Sequence, residues 1–153
     1  MKKVLGIAAS VLIISSMQYG SVYAAHEPRD DDAGDAPEYT VKCADGATDA
    51  KQCEVDKDTY VGWRTYATNC QVCHGGSGLG STFAPNLMDR FNKEGVDYGR
   101  FKHVIIHGYT GTMGAMPAWE KNNAVMKSLD GLYMYLQARS DEKLPKGRPV
   151  KMK

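Results

Sequence analysis

The chain contains no apolar run long enough to cross a bilayer. Its longest, Val4 to Ile14, is diluted by Gly6 and Ser10 and falls short of the roughly 20 residues a spanning helix needs. No segment alternates apolar and polar residues as a half-buried strand would, so helices are expected to carry the fold. No internal repeat is present, which excludes a solenoid. Net charge is close to zero, with 19 basic and 18 acidic residues, and no nucleic-acid motif accompanies the basic ones. Cysteine is scarce: there are four. Cys70 and Cys73 lack a second ligand pair at zinc-site spacing, since Cys43 and Cys53 are too widely separated to be one. The βαβ pattern that a thioredoxin-type pair requires is also missing.

What is there begins with an export signal. Lys2 and Lys3 form a positive start, Val4 to Ile14 an apolar stretch, and Val22-Tyr23-Ala24 places small residues where a signal peptidase needs them. A signal peptide over residues 1–24, cleaved after Ala24, is expected, and with it a periplasmic chain; a retained N-terminal anchor is the alternative. Export brings the chain to a compartment where disulfides persist. Cys43 and Cys53 then pair most simply with each other, around a polar loop that carries the turn signal Asp45-Gly46. A free thiol or an intermolecular bond is the alternative. Closing so short a loop would contribute about 2–3 kcal/mol.

Charge is sorted along the chain. Residues 25–59 carry eleven acids and four bases, whereas residues 60–153 carry seven acids and thirteen bases. Residues 25–38, with Asp30-Asp31-Asp32 among Pro28, Gly34 and Pro37, read as an acidic flexible leader. The domain is expected over residues 39–149, with the Cys43/Cys53 segment at its start and a basic tail at 150–153. The stretch Lys143 to Lys153, with Pro145, Gly147 and Pro149, reads as extended and solvated.

The most informative stretch is Cys70-Gln71-Val72-Cys73-His74. On a helix, cysteines at i and i+3 lie one turn apart on one face. Both sulfurs then reach the two vinyl groups of a single haem, and the histidine that follows falls beneath the iron. The pattern is the attachment signature of a covalent c-type haem, haem c. A sixth iron ligand is expected from Met116, in a loop that Pro117 stiffens and that Gly111 and Gly114 let pass close to a flat ring. Met113 is the rival. Met88, Met126 and Met134 read as packing residues. His103 and His107, at i and i+4, are expected to face solvent opposite Phe101, Val104 and Ile105, and His26 lies in the leader. A metal-bound histidine needs its other ring nitrogen held, and the Pro85 carbonyl is the candidate acceptor for His74. Leu87 could pack on the porphyrin, and Trp119 and Tyr109 border either the haem or the core.

Three helices are legible. One starts near Asp58, with Asp56 or Asp58 as N-cap, and runs to about Val72. A second covers Tyr98 to His107 and stops at Gly108. The last runs from Asn123 to Arg139, with Val125, Leu129, Leu132 and Leu136 on one stripe.

Gly62-x-x-x-Tyr66-x-x-x-Cys70-x-x-Cys73-His74, Ala84-Pro85-Asn86-Leu87, Ala115-Met116-Pro117-Ala118-Trp119 and Leu132-Tyr133-Met134-Tyr135-Leu136 resemble class I c-type cytochromes. The resemblance implies an all-α class I cytochrome c fold, three to four helices around one covalent haem. Gly62 and Tyr66 of the first helix would cross Leu132 and Tyr135 of the last. With Cys43, Cys53 and the segment Glu54 to Tyr66, the chain is similar to the four-cysteine c-type cytochromes linked to methanol metabolism. That likeness implies an electron carrier rather than an enzyme. The donor would be a pyrroloquinoline-quinone (PQQ)-dependent methanol or alcohol dehydrogenase, and the acceptor a downstream cytochrome c or oxidase. The haem would be held by Cys70, Cys73, His74, Met116 and Pro85, with His74 and Met116 on the iron. Docking is expected at the exposed haem edge, through nearby lysines, and should weaken with salt. A general respiratory carrier, a haem peroxidase-like enzyme and a haem sensor or structural subunit are the competing readings.

Overall fold

The computed structural model describes residues 34–111 and 114–153. The expected signal peptide, His26 and Met113 lie outside them. Six α-helical segments and five short strands follow one another along the described chain.

The N-terminal part is a small sheet rather than an all-helical start. Strand β1 (Val41–Cys43) pairs antiparallel with β2 (Cys53–Val55), and Cys43 faces Cys53 across the ladder. A disulfide joins them, with Cα atoms 3.9 Å apart. The intervening turn is closed by Asp49 and Gln52: the Asp49 side chain accepts from the Lys51 amide at 2.8 Å, and Gln52 Oε1 accepts from the amides of Thr48 and Asp49. Strand β5 (Val150–Lys151) lies parallel to β2 on its other side. The C-terminal stretch is therefore not the solvated tail expected from its prolines and lysines. Leu144 is fully buried, Pro149 is buried, and the Lys146 carbonyl accepts from the Ala50 amide at 2.8 Å. Three-residue strands show too little alternation to be read from sequence.

Helix α1 (Lys57–Thr65) starts at Asp56, whose carboxylate accepts from the Thr59 amide at 2.8 Å, the Thr59 hydroxyl at 2.7 Å and the Thr40 amide at 2.7 Å. The chain then widens into a π-helical turn over Tyr66–Cys70 before helix α2 (Gln71–His74). Helix α3 (Leu87–Glu94) was not legible beforehand: its Asn86 cap and Gly95 stop are clear signals, but its apolar positions are few. Helix α4 spans Tyr98–His107 as expected, capped by Asp97 and ended by Gly108 at φ 77°. Strands β3 (Tyr109–Gly111) and β4 (Gly114–Met116) then pair antiparallel.

The expected last helix is two, α5 (Asn123–Lys127) and α6 (Leu129–Ser140). Ser128 causes the break: its hydroxyl donates to the Ala124 carbonyl at 2.8 Å, offering the backbone a competing partner. All four stripe residues, Val125, Leu129, Leu132 and Leu136, are buried.

The centre of the fold is the crossing of α1 and α6. A Cβ on Gly62 would sit 1.7 Å from the Gly131 carbonyl oxygen, and one on Gly131 would sit 2.2 Å from the Asp58 carbonyl oxygen. The glycine opposite Gly62 is thus Gly131, with Leu132 fully buried beside it. The Tyr66 and Tyr135 rings pack 5.4 Å apart, and Thr65 and Ser128 share a buried hydroxyl hydrogen bond of 2.8 Å. On the far side of α6, Tyr133 is ringed by Phe91, Tyr98 and Phe101 at 5.0–5.7 Å.

Two outcomes follow. Gly62→Ala should lower stability by at least about 3 kcal/mol in denaturant unfolding, because helix backbone, not a movable side chain, occupies the space. Burial alone would raise the Asp56 pKa, but donors from Thr59 and Thr40 hold it below the ordinary aspartate value. Its contribution is therefore present at neutral pH and fades as pH falls through that lowered value. Asp56→Ala should cost about 1–2 kcal/mol at pH 7, and the gap from the parent should narrow below about pH 4.

Candidate haem-binding site

The end of the π-turn and helix α2 together place Cys70 and Cys73 one turn apart. Cys70 is buried, Cys73 is exposed, and neither is in a disulfide. Burial, with the nearby Cys73, pushes the Cys70 thiol up to about 11. That is opposite to the lowered pKa of a thiol-exchange nucleophile. Among the described residues no group of three or more His, Cys, Asp and Glu side chains could hold a metal ion by itself, so a zinc cage has no support there.

His74 ends α2 and is buried. Its Nδ1 lies 3.3 Å from the Pro85 carbonyl oxygen, at the long end of hydrogen-bond range. A carbonyl only accepts, so Nδ1 carries the proton and Nε2 keeps its lone pair. Burial lowers the His74 pKa, with the Pro85 contact opposing it, which keeps the ring neutral as a metal ligand must be.

The loop after His74 folds straight back. Gly75 takes φ 72°, and a Cβ there would meet the Gly80 carbonyl oxygen at 2.2 Å. The Gly80 amide donates to the His74 carbonyl at 2.8 Å, the Ser81 hydroxyl to the Cys73 carbonyl at 2.5 Å, and the Tyr66 hydroxyl to the Gly75 carbonyl at 2.5 Å. Arg139, buried on α6, reaches the Ser77 carbonyl at 3.4 Å and the Leu144 carbonyl. These fixings were missed in the sequence. Nothing in the spacing of Ser81 or Arg139 announces them.

Cys70, Cys73, His74 and Pro85 are thus brought together. Met116 lies on β4, partly buried against the same apolar cluster that includes Cys70. Gly108 makes room for its backbone, since a Cβ there would sit 2.7 Å from the Met116 carbonyl oxygen. Met134 is buried, and Met88 and Met126 pack partly buried on the core, as do Leu87 and Trp119. Tyr109 stacks under the Arg100 guanidinium at 5.0 Å. The His103 and His107 rings are 4.8 Å apart on α4; His107 is exposed as expected, but His103 is half-buried.

Two unpaired thiols one turn apart, a neutral imidazole with one nitrogen held, and a thioether on a hairpin packed against the same apolar core suit a covalently held haem.

Residues 58–136 match the family described as cytochrome c oxidase, cbb3-type, subunit III. Cytochrome c-555 of Methylococcus capsulatus is 37% identical over 102 residues, covering 66% of this chain and 78% of that protein. The chain belongs to the cytochrome c family. Cytochrome c-553I of Paracoccus denitrificans is 37% identical over 123 residues, covering 78% of this chain and 50% of that protein. The crystal structure of c-type cytochrome XoxG from Methylobacterium extorquens AM1 matches with a TM-score of 0.60 at 38% identity, covering 65% of this chain and 62% of the other. The cytochrome therefore spans half of one curated relative and under two thirds of the structural one. It has the class I cytochrome c fold, with short strands added to the helices. It binds haem c covalently, holds a single haem and serves as an electron carrier, not an enzyme.

Tyr66→Phe removes the donor to the Gly75 carbonyl without changing the ring packing. It should cost the holoprotein about 1 kcal/mol in denaturant unfolding.

Proposed function

We propose that the cytochrome receives single electrons from a PQQ-dependent methanol or alcohol dehydrogenase and passes them to a downstream cytochrome c or oxidase in the periplasm. Cys70 and Cys73 carry the two thioether bonds, and His74 and Met116 ligate the iron. Bound haem supplies the Fe(III)/Fe(II) couple. The chain does the rest: Pro85 fixes the His74 ring, the Gly75–Gly80 loop keeps the ligand helix in place, and the packed aromatic core excludes water. His/Met ligation raises the reduction potential relative to harder ligand pairs.

The observation that carries the ligand set is the buried His74 ring, its Nδ1 on the Pro85 carbonyl, directly after the unpaired Cys70 and Cys73. The donor reading is supported by the Cys43–Cys53 bridge before the haem motif, which matches the four-cysteine methanol-linked pattern. It is also supported by relatives from Methylococcus and Methylobacterium. Export is supported by the N-terminal sequence pattern, and no helix among the described residues is long and apolar enough to cross a membrane. A general respiratory carrier is the second reading, favoured by the match to the cbb3-type oxidase subunit over residues 58–136.

Met116→Ala should abolish the six-coordinate ferrous spectrum, while Met113→Ala keeps it; the reverse pattern moves the ligand to Met113. Oxidised cytochrome mixed with a PQQ methanol dehydrogenase and methanol should show the reduced haem bands. Failure to do so, in protein that ascorbate reduces, rejects that donor.

A further inference from the structure

We propose that the buried charge of Arg139, held behind the His74 loop without a carboxylate partner, biases the covalently held haem toward its reduced state. Arg139 is then a positioning residue for the redox couple, not a ligand. The proposal rests on the covalent haem and the electron-carrier role, and it stands whichever dehydrogenase is the donor.

Arg139 is 8% exposed, and among the described residues it is the one buried side chain with a full charge, His74 being neutral. A buried cation is costly unless its donors are met. The fold meets them with neutral groups. Nε donates to the Ser77 carbonyl at 3.4 Å, Nη1 to the Leu144 carbonyl, and the Tyr135 hydroxyl bonds beside them. Among the described residues, none of these partners is a carboxylate. Carbonyls and hydroxyls solvate a guanidinium without neutralising it, and a guanidinium stays charged in proteins. Glu142 and Lys146 line the cavity outside Arg139. They are opposite in sign and exposed, so solvent screens both.

The charge faces the ligand helix. Ser77 stands three residues after His74 and takes φ 58°, in the left-handed region that favours glycine. Arg139 on its carbonyl and the Gly147 amide on its Oγ, at 3.3 Å, hold it there. Tyr66, the other tyrosine beside the guanidinium, donates to the carbonyl of Gly75, the residue directly after His74. A tie of this kind needs only donors, which neutral side chains also supply. A full charge adds something further: its field runs through packed, low-dielectric interior. Reduction brings in one electron and no proton, and so removes one positive charge from the haem. A cation close by opposes the oxidised state more than the reduced one.

The test is a spectroelectrochemical titration of the holoprotein at about pH 6, where a partly buried lysine keeps its charge. Wild type is compared with Arg139→Gln, Arg139→Lys and Asn92→Asp. Asn92 lines the same cavity, and its Oδ1 accepts from the Ser140 hydroxyl at 2.7 Å. Aspartate there keeps that acceptor and adds a negative charge near an unaltered Arg139, so this variant reads the same effect if Arg139→Gln yields no holoprotein. Arg139→Gln should lower the equilibrium constant for haem reduction at least about threefold, or about 30 mV at about 59 mV per tenfold change. Arg139→Lys should stay within about 1.5-fold of wild type. Asn92→Asp should lower the constant at least about 1.5-fold, with the haem bands of all three variants unmoved.

A wild-type constant in Arg139→Gln overturns the proposal. So does Arg139→Lys falling as far as Arg139→Gln, because the lost fork and not the lost charge is then responsible. An unchanged or raised constant in Asn92→Asp overturns it as well. Shifted haem bands in Arg139→Gln do the same, since a change of iron ligation then accounts for the fall. Methanol dehydrogenase enters none of these measurements, so the donor reading and the Arg139 inference fail separately.

Discussion

The close approach of two helix backbones at Gly62 and Gly131 sets the position of everything else. With the Gly131 carbonyl 1.7 Å from where a Gly62 Cβ would be, no side chain separates α1 from α6, and their angle and register are settled by backbone contact. Helix α1 runs on through the π-turn into α2, so the crossing also locates Cys70, Cys73 and His74. The extra residue in the π-turn, a kind of widening common at functional sites, rotates the attachment helix relative to α1. Helix α6 presents its other faces to the rest of the molecule: Tyr133 to the aromatic cluster of α3 and α4, and Arg139 to the loop behind His74 and to the C-terminal strap. That explains why nearly every α6 residue is buried, where an amphipathic surface helix would bury one stripe.

Arg139 shows how the loop behind the ligand helix is held. It is 8% exposed and donates to the carbonyls of Ser77 and Leu144. Desolvation works against the guanidinium charge, and the neighbouring Tyr135 hydroxyl works for it. One cation therefore ties three parts of the chain: α6, the Gly75–Gly80 loop and the segment leading to β5. Further along that segment β5 docks on β2, the strand closed by the Cys43–Cys53 bridge. The N-terminal disulfide and the loop behind His74 belong to one continuous set of restraints.

Legibility in the sequence followed the length and regularity of each feature. The span of helix α4 was legible because the Tyr98–Phe101–Ile105 arc and Gly108 agree, whereas its Asp97 cap was not singled out. The start of α1 was expected near Asp58 with the cap left open between Asp56 and Asp58, and the structure selects Asp56. Helix α3 was passed over because its cap, Asn86, sits in a run already assigned to the Pro85 turn and its charged residues mask Phe91. Ser128 split the last helix for a reason of side-chain chemistry that a hydrophobic stripe does not contain. The strands were invisible because three residues cannot show a period of two. Of the site, the cysteine–histidine motif was legible because covalent attachment demands residues at short fixed spacing, and the His74–Pro85 contact was expected because a metal-bound histidine needs an acceptor on its other ring nitrogen. Ser81, Tyr66 and Arg139 act on backbone carbonyls, and such contacts leave no pattern in residue types.

The sorting of charge then takes on a physical meaning beyond solubility. An electron carrier has to meet a partner, hold it briefly and leave. Strong charge pairing at the point of contact speeds the encounter but adds ordered, desolvated ion pairs that must be broken on departure. Charges placed elsewhere, on the N-terminal segment and the C-terminal strap, still act at a distance through the field of the whole molecule.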